Sequence, residues 1–206
     1  MNPYYWVGYH LSRILAQIFF RFRILHRERM INSGPVLLAV NHQSYFDPPL
    51  AGNATDRPIY YLARRTLLDV PFLRWLLPKL NVIPVDQEGV DRRAIRQLID
   101  VVKAGNGALV FPEGSRTMDG NLQPGMPGIG MVIAKTGAPV VPMRIFGAHE
   151  ALPRGSGRPR LFHPITVIVG HPIHFTPEEI EAHGREAYGR ISQRVMDAIA
   201  EIKLEN

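Results

Sequence analysis

The residues GPVLLAVNHQSYFDPPL, numbers 34–50, run from an unbroken apolar stretch directly into a polar turn. Val36 to Val40 carry no polar side chain, the pattern of a short strand covered on both faces, and such strands belong mostly to parallel sheets sandwiched between helices. The same pattern recurs at Ile59 to Ala63, Val82 to Val85, Ala108 to Phe111, Val140 to Ile145 and Ile165 to Val169. Helical spacing lies between several of them: Ile95, Leu98, Ile99 and Val102 share one face before Gly105, and Tyr188, Ile191, Val195, Ile199 and Ile202 share another. Strands alternating with helices predict an α/β fold with a mixed, largely parallel central sheet flanked by helices. Ligands in such sheets gather beyond the carboxyl ends of the strands. His42 follows the first of these strands and Glu113 the fourth, so one edge of one sheet is expected to bring them together.

The 206 residues, 46% of them hydrophobic, suffice for one well-buried core. Eighteen glycines and 18 prolines are scattered as turns, with no linker tract and no repeat. The absence of cysteine removes disulfides, thiolate metal sites and a cysteine nucleophile, and fits a reducing compartment. The net charge of +6 is uneven: Arg13, Arg21, Arg23, Arg27 and Arg29 face only Glu28 within the first 30 residues. A basic chain of this kind meets nucleic acid, anionic lipid or anionic small molecules.

From Tyr4 to Leu25, apolar residues recur at Leu11, Ile14, Leu15, Ile18, Phe19, Phe22 and Leu25, with Arg13, Gln17 and Arg21 on the other face. Such a helix would be about 33 Å long, but each arginine near a bilayer centre costs about 2.5–3.5 kcal/mol, so it is expected along a surface. That surface is either its own domain or a membrane. Tyr4, Tyr5, Trp6 and Tyr9 beside arginines suit an interface with anionic lipid. Residues 1–30 are therefore read as an N-terminal amphipathic membrane-surface segment and 31–206 as the α/β domain. No cleavable signal is evident, so the segment is expected to be retained.

His42 and Asp47 stand five residues apart, which on a regular helix would put them on different faces. They meet if His42 ends a strand and Asp47 opens the helix beyond, a start that Pro48 and Pro49 favour. Asp47 then fixes the imidazole tautomer and stabilises its protonated form, and His42 becomes a general base. The alternative is a strand-end histidine bonded for stability alone. No G-x-S-x-G elbow is present, so the nucleophile for such a base is a substrate hydroxyl. LVFPEGSRT, numbers 109–117, repeats the design: a strand, a proline, then a turn with Glu113, Gly114, Ser115 and Arg116. Arg116 offers a planar fork for phosphate, Gly114 admits close backbone approach, and Ser115 and Thr117 add hydroxyls. Glu113 is expected to orient Arg116 or a substrate hydroxyl.

NHQSYFD, FPEGSRT and APVVPMRI, in that order, resemble the glycerolipid acyltransferase family that includes 1-acylglycerol-3-phosphate acyltransferase. The resemblance spans roughly Gly34 to Ile145. It implies transfer of a fatty acyl group from acyl-coenzyme A or acyl-carrier protein to the hydroxyl of a lysophospholipid, most often 1-acylglycerol-3-phosphate, giving phosphatidate. It implies a base at His42, its orienting partner at Asp47, and acceptor binding by Glu113, Gly114 and Arg116. It also implies an α/β domain preceded by a membrane-associating helix, at the cytoplasmic face of a membrane as a peripheral or monotopic protein. Two departures concern the phosphate: Gln87 stands where the family often has arginine, and Met126 where lysine is frequent. Arg92 or Arg93 would replace the first, or the acceptor is a different lysolipid such as an aminolipid. An inactive lipid-binding member is the remaining possibility.

HPIH, numbers 171–174, has two histidines but a proline between them and no third ligand, so no metal is expected. RGSGRPR, numbers 154–160, is either a solvated loop or a contact to anionic headgroups or a coenzyme A phosphate. No Walker, dinucleotide-binding or nucleic-acid-binding module is visible, so neither a bound cofactor nor a nucleic-acid partner is expected.

Overall fold

The computed structural model describes residues 2–86, 91–181 and 183–204. Among these, seven strands form one sheet: β1 (Arg23–Leu25), β2 (Val36–Val40), β3 (Ile59–Arg64), β4 (Val82–Val85), β5 (Gly107–Val110), β6 (Val140–Phe146) and β7 (Thr166–Val169). The helices are α1 (Pro3–Phe20), α2 (Asp47–Gly52), α3 (Pro71–Leu76), α4 (Arg92–Lys103), α5 (Pro127–Thr136), α6 (Ala148–Ala151), α7 (Pro177–Glu181) and α8 (Arg185–Glu201). The spatial order is β1-β7-β6-β2-β5-β3-β4, parallel throughout except for the β6–β7 pair. The largely parallel sheet expected from the apolar runs is therefore present.

The central strand explains why those runs are continuous. Val36, Leu38 and Val40 point to one face, where they meet Ala16 and Phe20 of α1 and Leu50 and Ala51 of α2. Leu37 and Ala39 point to the other, among Leu98 and Val102 of α4, Val132 and Ile133 of α5, and Val195 and Ile199 of α8. All five β2 side chains are fully buried. At about 25 cal/mol per Å² of apolar surface removed from water, burial on both faces is what holds this strand at the centre. Because β2 lies between β5 and β6, residues leaving β2 and β5 emerge side by side at the same edge.

The N-terminal helix is shorter than its periodicity predicts and packs by another face. It ends at Phe20, where Arg21 takes a left-handed conformation (φ 42°), and the chain turns into β1. Arg23 to Leu25 pair with Thr166 to Ile168, so residues on both sides of position 30 build the sheet. Three residues are too few to show a strand period, and Phe22 and Leu25 happen to continue the helical one. Tyr5, Ala16 and Phe20 face the domain, whereas Leu11, Ile14, Leu15 and Ile18 of the predicted stripe are exposed.

Helices α5 and α8 approach closely because Gly130 has no side chain. A Cβ there would overlap the backbone carbonyl of Tyr188, and the Gly130 N–H donates to the buried Ser192 hydroxyl at 3.1 Å. Neither backbone yields without separating the helices. Gly130→Ala should lower stability by about 1–3 kcal/mol, as overpacking does, read as a shift of the urea midpoint; an unshifted midpoint would contradict this contact.

Candidate active site

His42 is the second residue past β2, after Asn41, and Asp47 is the first residue of α2. The Nδ1 atom of His42 lies 2.8 Å from Asp47 Oδ2. The same oxygen accepts the backbone N–H groups of Gln43 and Ser44, each at 2.6 Å. With Oδ2 already accepting two backbone N–H bonds, the neutral ring carries its hydrogen on Nδ1, toward Asp47, and its lone pair on Nε2. The ring stacks on Phe111, centroids 3.8 Å apart and planes 16° from parallel, which leaves it little freedom to turn. Asp47 is fully buried, His42 partly. Burial pushes the Asp47 carboxyl above the usual aspartate range, while its bonds from His42, Ser44 and Gln43 pull the other way.

The second turn is sewn to the first through the backbone. Glu113 Oε1 accepts the His42 N–H at 2.8 Å, and the Thr117 N–H donates to the His42 carbonyl at 2.8 Å. The other Glu113 oxygen accepts the Gln123 N–H at 3.1 Å. Gln43 Nε2 reaches the Gly120 carbonyl at 3.1 Å, in a loop shaped by Asp119, whose carboxyl is held down at about 2 by bonds from Asn121 and Thr117. Glu113 therefore joins the two turns through backbone donors, and among the described residues no ion pair links it to Arg116. Burial pushes the Glu113 carboxyl up to about 7, against the pull of its His42 and Gln123 bonds, with the Asp47 charge adding to the rise.

Arg116 is buried, with its guanidinium 3.5 Å from the centre of the exposed Tyr45 ring, a cation–π contact that places the cation beside the dyad's turn. Gly114, at φ 72°, and Ser115 form the exposed tip of the turn. The Met126 side chain flanks Gly114; a Cβ on the glycine would lie 3.1 Å from Met126 Cγ. Met126 is itself fixed through its backbone, its N–H donating to Pro112 and its carbonyl accepting from Ser192. Arg92 and Arg93 begin α4 at the same edge of the sheet and are exposed; Gln87 lies outside the described residues. His171 and His174 flank Ile173, which bridges to Val140, away from the dyad's turn.

Several site residues carry no local sequence signal. Asn41 is buried and spans β2 and β6, its Nδ2 donating to the Ile145 carbonyl at 3.1 Å and its Oδ1 accepting the Ile145 N–H at 2.7 Å. It fixes where β2 ends and hence where His42 begins; a polar residue closing an apolar strand is the cue that was available. Tyr45 could be recognised only once Arg116 was beside it. Arg65, just beyond β3, donates to Asp86 at 2.6 Å and adds a cation to this edge.

A family model described as Acyltransferase matches residues 21–146, more than half of the chain and every residue of the two turns. This chain belongs to the acyltransferase family. Its relatives include the chloroplast 1-acyl-sn-glycerol-3-phosphate acyltransferase of Arabidopsis thaliana, 26% identical over 93% of this chain and 55% of that one. The 1-acyl-sn-glycerol-3-phosphate acyltransferase of Pseudomonas aeruginosa is 27% identical over 95% of this chain and 73% of that one. A Brassica napus chloroplast relative is 28% identical over 68% of this chain and 41% of its own, so this acyltransferase-family chain spans about half the length of the plant relatives. The fold is shared with the 1-acyl-sn-glycerophosphate acyltransferase of Thermotoga maritima, at a TM-score of 0.71 and 24% identity, covering 98% of this chain and 80% of that one.

The buried Glu113 makes a pH prediction. Its carboxyl is raised from 4.5 to about 7 in the folded protein, so the folded state holds this proton more tightly and the group's contribution is complete below pH 4.5. That contribution is lost as pH rises to 7. Glu113→Gln, which cannot ionise, should be less stable below pH 5, since its amide must face a backbone N–H. Its stability should also fall less than the wild type's between pH 5 and 7.5, by about 1–3 kcal/mol, in urea unfolding at the two pH values. Equal slopes would contradict the raised carboxyl.

Proposed function

We propose that this protein transfers a fatty acyl group from a thioester to the free hydroxyl of 1-acylglycerol-3-phosphate, giving phosphatidate. The observation that carries this reading is the His42 Nδ1 to Asp47 Oδ2 bond of 2.8 Å, which in the neutral ring favours a bare Nε2 at the edge of the sheet. Nε2 takes the hydroxyl proton as the oxygen attacks the thioester carbonyl. The carbon–sulfur bond then breaks, the acyl group stays on the acceptor oxygen, and the thiolate leaves and is protonated from the imidazolium. Asp47 stabilises that imidazolium without accepting its proton. General-base catalysis of this kind contributes about 10²- to 10⁴-fold. The names of the Arabidopsis and Pseudomonas relatives support the acceptor. The donor is acyl-coenzyme A or acyl-carrier protein, since either presents the thioester that the chemistry needs. A second reading keeps the chemistry on a lysolipid with a different headgroup, and the apolar Met126 beside Gly114 favours it.

The acceptor and product are membrane lipids, so the active edge must work against a bilayer. No helix among the described residues is long and apolar enough to cross one. Helix α1 instead leaves Val7, Leu11, Ile14, Leu15 and Ile18 exposed on the side opposite its packed face. At its N-terminal end Tyr4 meets Trp75 edge-on at 5.4 Å, and Lys79 lies 3.6 Å from the Trp75 ring; Phe72 of α3 is exposed beside them. At its other end are the exposed Leu161 and Phe162. An apolar stripe with an aromatic and cationic end fits docking in the headgroup layer of an anionic leaflet, at the cytoplasmic face.

Radiolabelled acyl transfer to a lysolipid panel, run separately with coenzyme A and carrier-protein thioesters, tests the reaction. Phosphatidate is the expected product, with at least about 10²-fold loss in His42→Ala. Wild-type-like turnover of that variant would remove the general base, and product on headgroups without the phosphate alone would establish the second reading. For docking, the emission of Trp6 and Trp75 should shift to the blue on phosphatidylglycerol vesicles. Leu11→Ser with Ile18→Ser should weaken that binding about tenfold or more; binding that survives both changes would move the docking face elsewhere.

A further inference from the structure

The basic loop after α6, whose sequence suits either a solvated surface or an anion contact, sends its first arginine to the Arg116 turn. Arg154 Nη1 donates to the Arg116 backbone carbonyl at 2.9 Å. The chain just before it is pinned to the dyad's turn, since the Ser44 hydroxyl donates to the Leu152 carbonyl at 2.9 Å, and the Arg160 N–H closes the loop on Ala151 at 2.7 Å. Two guanidinium groups from separate loops are thus attached to one turn. Neither forms an ion pair among the described residues, whose arginine ion pairs belong to Arg27, Arg29, Arg65, Arg190 and Arg194.

Arg154 is exposed, so water screens the repulsion between two cations held at one turn without a carboxylate, and an anion lying between them turns that repulsion into attraction. Glu113 does not serve: its carboxyl joins the backbone of His42 and Gln123, and among the described residues no ion pair links it to either arginine. Met126, on the flank of Gly114, brings no charge. A phosphate monoester carries about −1.5 to −2 near pH 7, so one guanidinium leaves it half neutralised, whereas a diester carries a single charge. Arg154 has five N–H groups and spends one on the Arg116 carbonyl, leaving four for phosphate oxygens.

We propose that Arg154 is a second contact to the acceptor phosphate and, with Arg116, selects a phosphate monoester over a diester. This rests on the reading of the Arg116 turn as the acceptor site. It names the acceptor class in spite of Met126, because Arg154 brings a second positive charge to the same turn.

The test compares KM and kcat for lysophosphatidate, a monoester, and lysophosphatidylglycerol, an anionic diester with the same reacting hydroxyl, in mixed micelles with the full chain. Arg154→Ala should raise KM for the monoester about 10- to 100-fold and for the diester by about threefold or less. Arg154→Lys should recover part of the monoester loss. Arg154→Gln keeps an N–H for the Arg116 carbonyl and loses the charge, so it should resemble Arg154→Ala. If Arg154→Gln behaves as wild type, or Arg154→Ala raises both KM values equally, the residue only braces the turn and the proposal is overturned. Wild-type protein that acylates the diester and not the monoester would overturn the acceptor reading and this proposal together. Thermal melts of each variant separate lost binding from lost fold.

Discussion

A single carboxylate oxygen organises the active edge. Asp47 Oδ2 gathers the His42 ring and two backbone N–H groups within 2.8 Å, at the point where the central strand gives way to a helix. Removing this acceptor would leave the buried Ser44 N–H and the half-buried Gln43 N–H unsatisfied as well as an unanchored imidazole, at roughly 1–3 kcal/mol for a fully buried orphaned group. The turn and the tautomer are therefore one structural fact. Burial opposes the charge of Asp47, and the converging donors are what keep a carboxylate there useful.

The fold supplies what this oxygen cannot. Neighbouring strands β2 and β5 deliver the two turns to one edge, and the backbone bonds of His42 with Glu113 and Thr117 set their spacing. Asn41 fixes the end of β2 against β6, which in turn starts the loop that carries Arg154. The His42–Asp47 pair and the two arginines of the proposed anion site thus sit at or beside strand ends. The apolar stripe of α1 lies outside this scaffold, exposed while the opposite face of the helix packs on the domain.

Much of this was legible in the residues themselves. Runs such as Val36 to Val40 announce doubly covered strands, and Pro48 with Pro49 beyond Asp47 marks a helix start that lets a five-residue spacing close. Other parts depend on partners distant in sequence. Strand β1 hides in three residues that continue a helical pattern, and it exists because β7 offers an edge. Glu113 looks like a partner for Arg116, three residues on, but the His42 and Gln123 N–H groups reach it first. Tyr45 and Arg154 acquire meaning only around Arg116. Nor could periodicity tell which face of α1 would be covered, because the helix is apolar on both its packed and its open sides.

The most direct test of the central claim is the proton position on His42. Histidine side-chain ¹H–¹⁵N correlation spectra, with the His42 signals assigned by their loss in His42→Gln, report which ring nitrogen carries hydrogen in the neutral imidazole. The arrangement described predicts hydrogen on Nδ1, shared with Asp47, and a bare Nε2. Hydrogen on Nε2 with a bare Nδ1 would contradict it, because the nitrogen proposed to take the acceptor's proton would then have no lone pair for it.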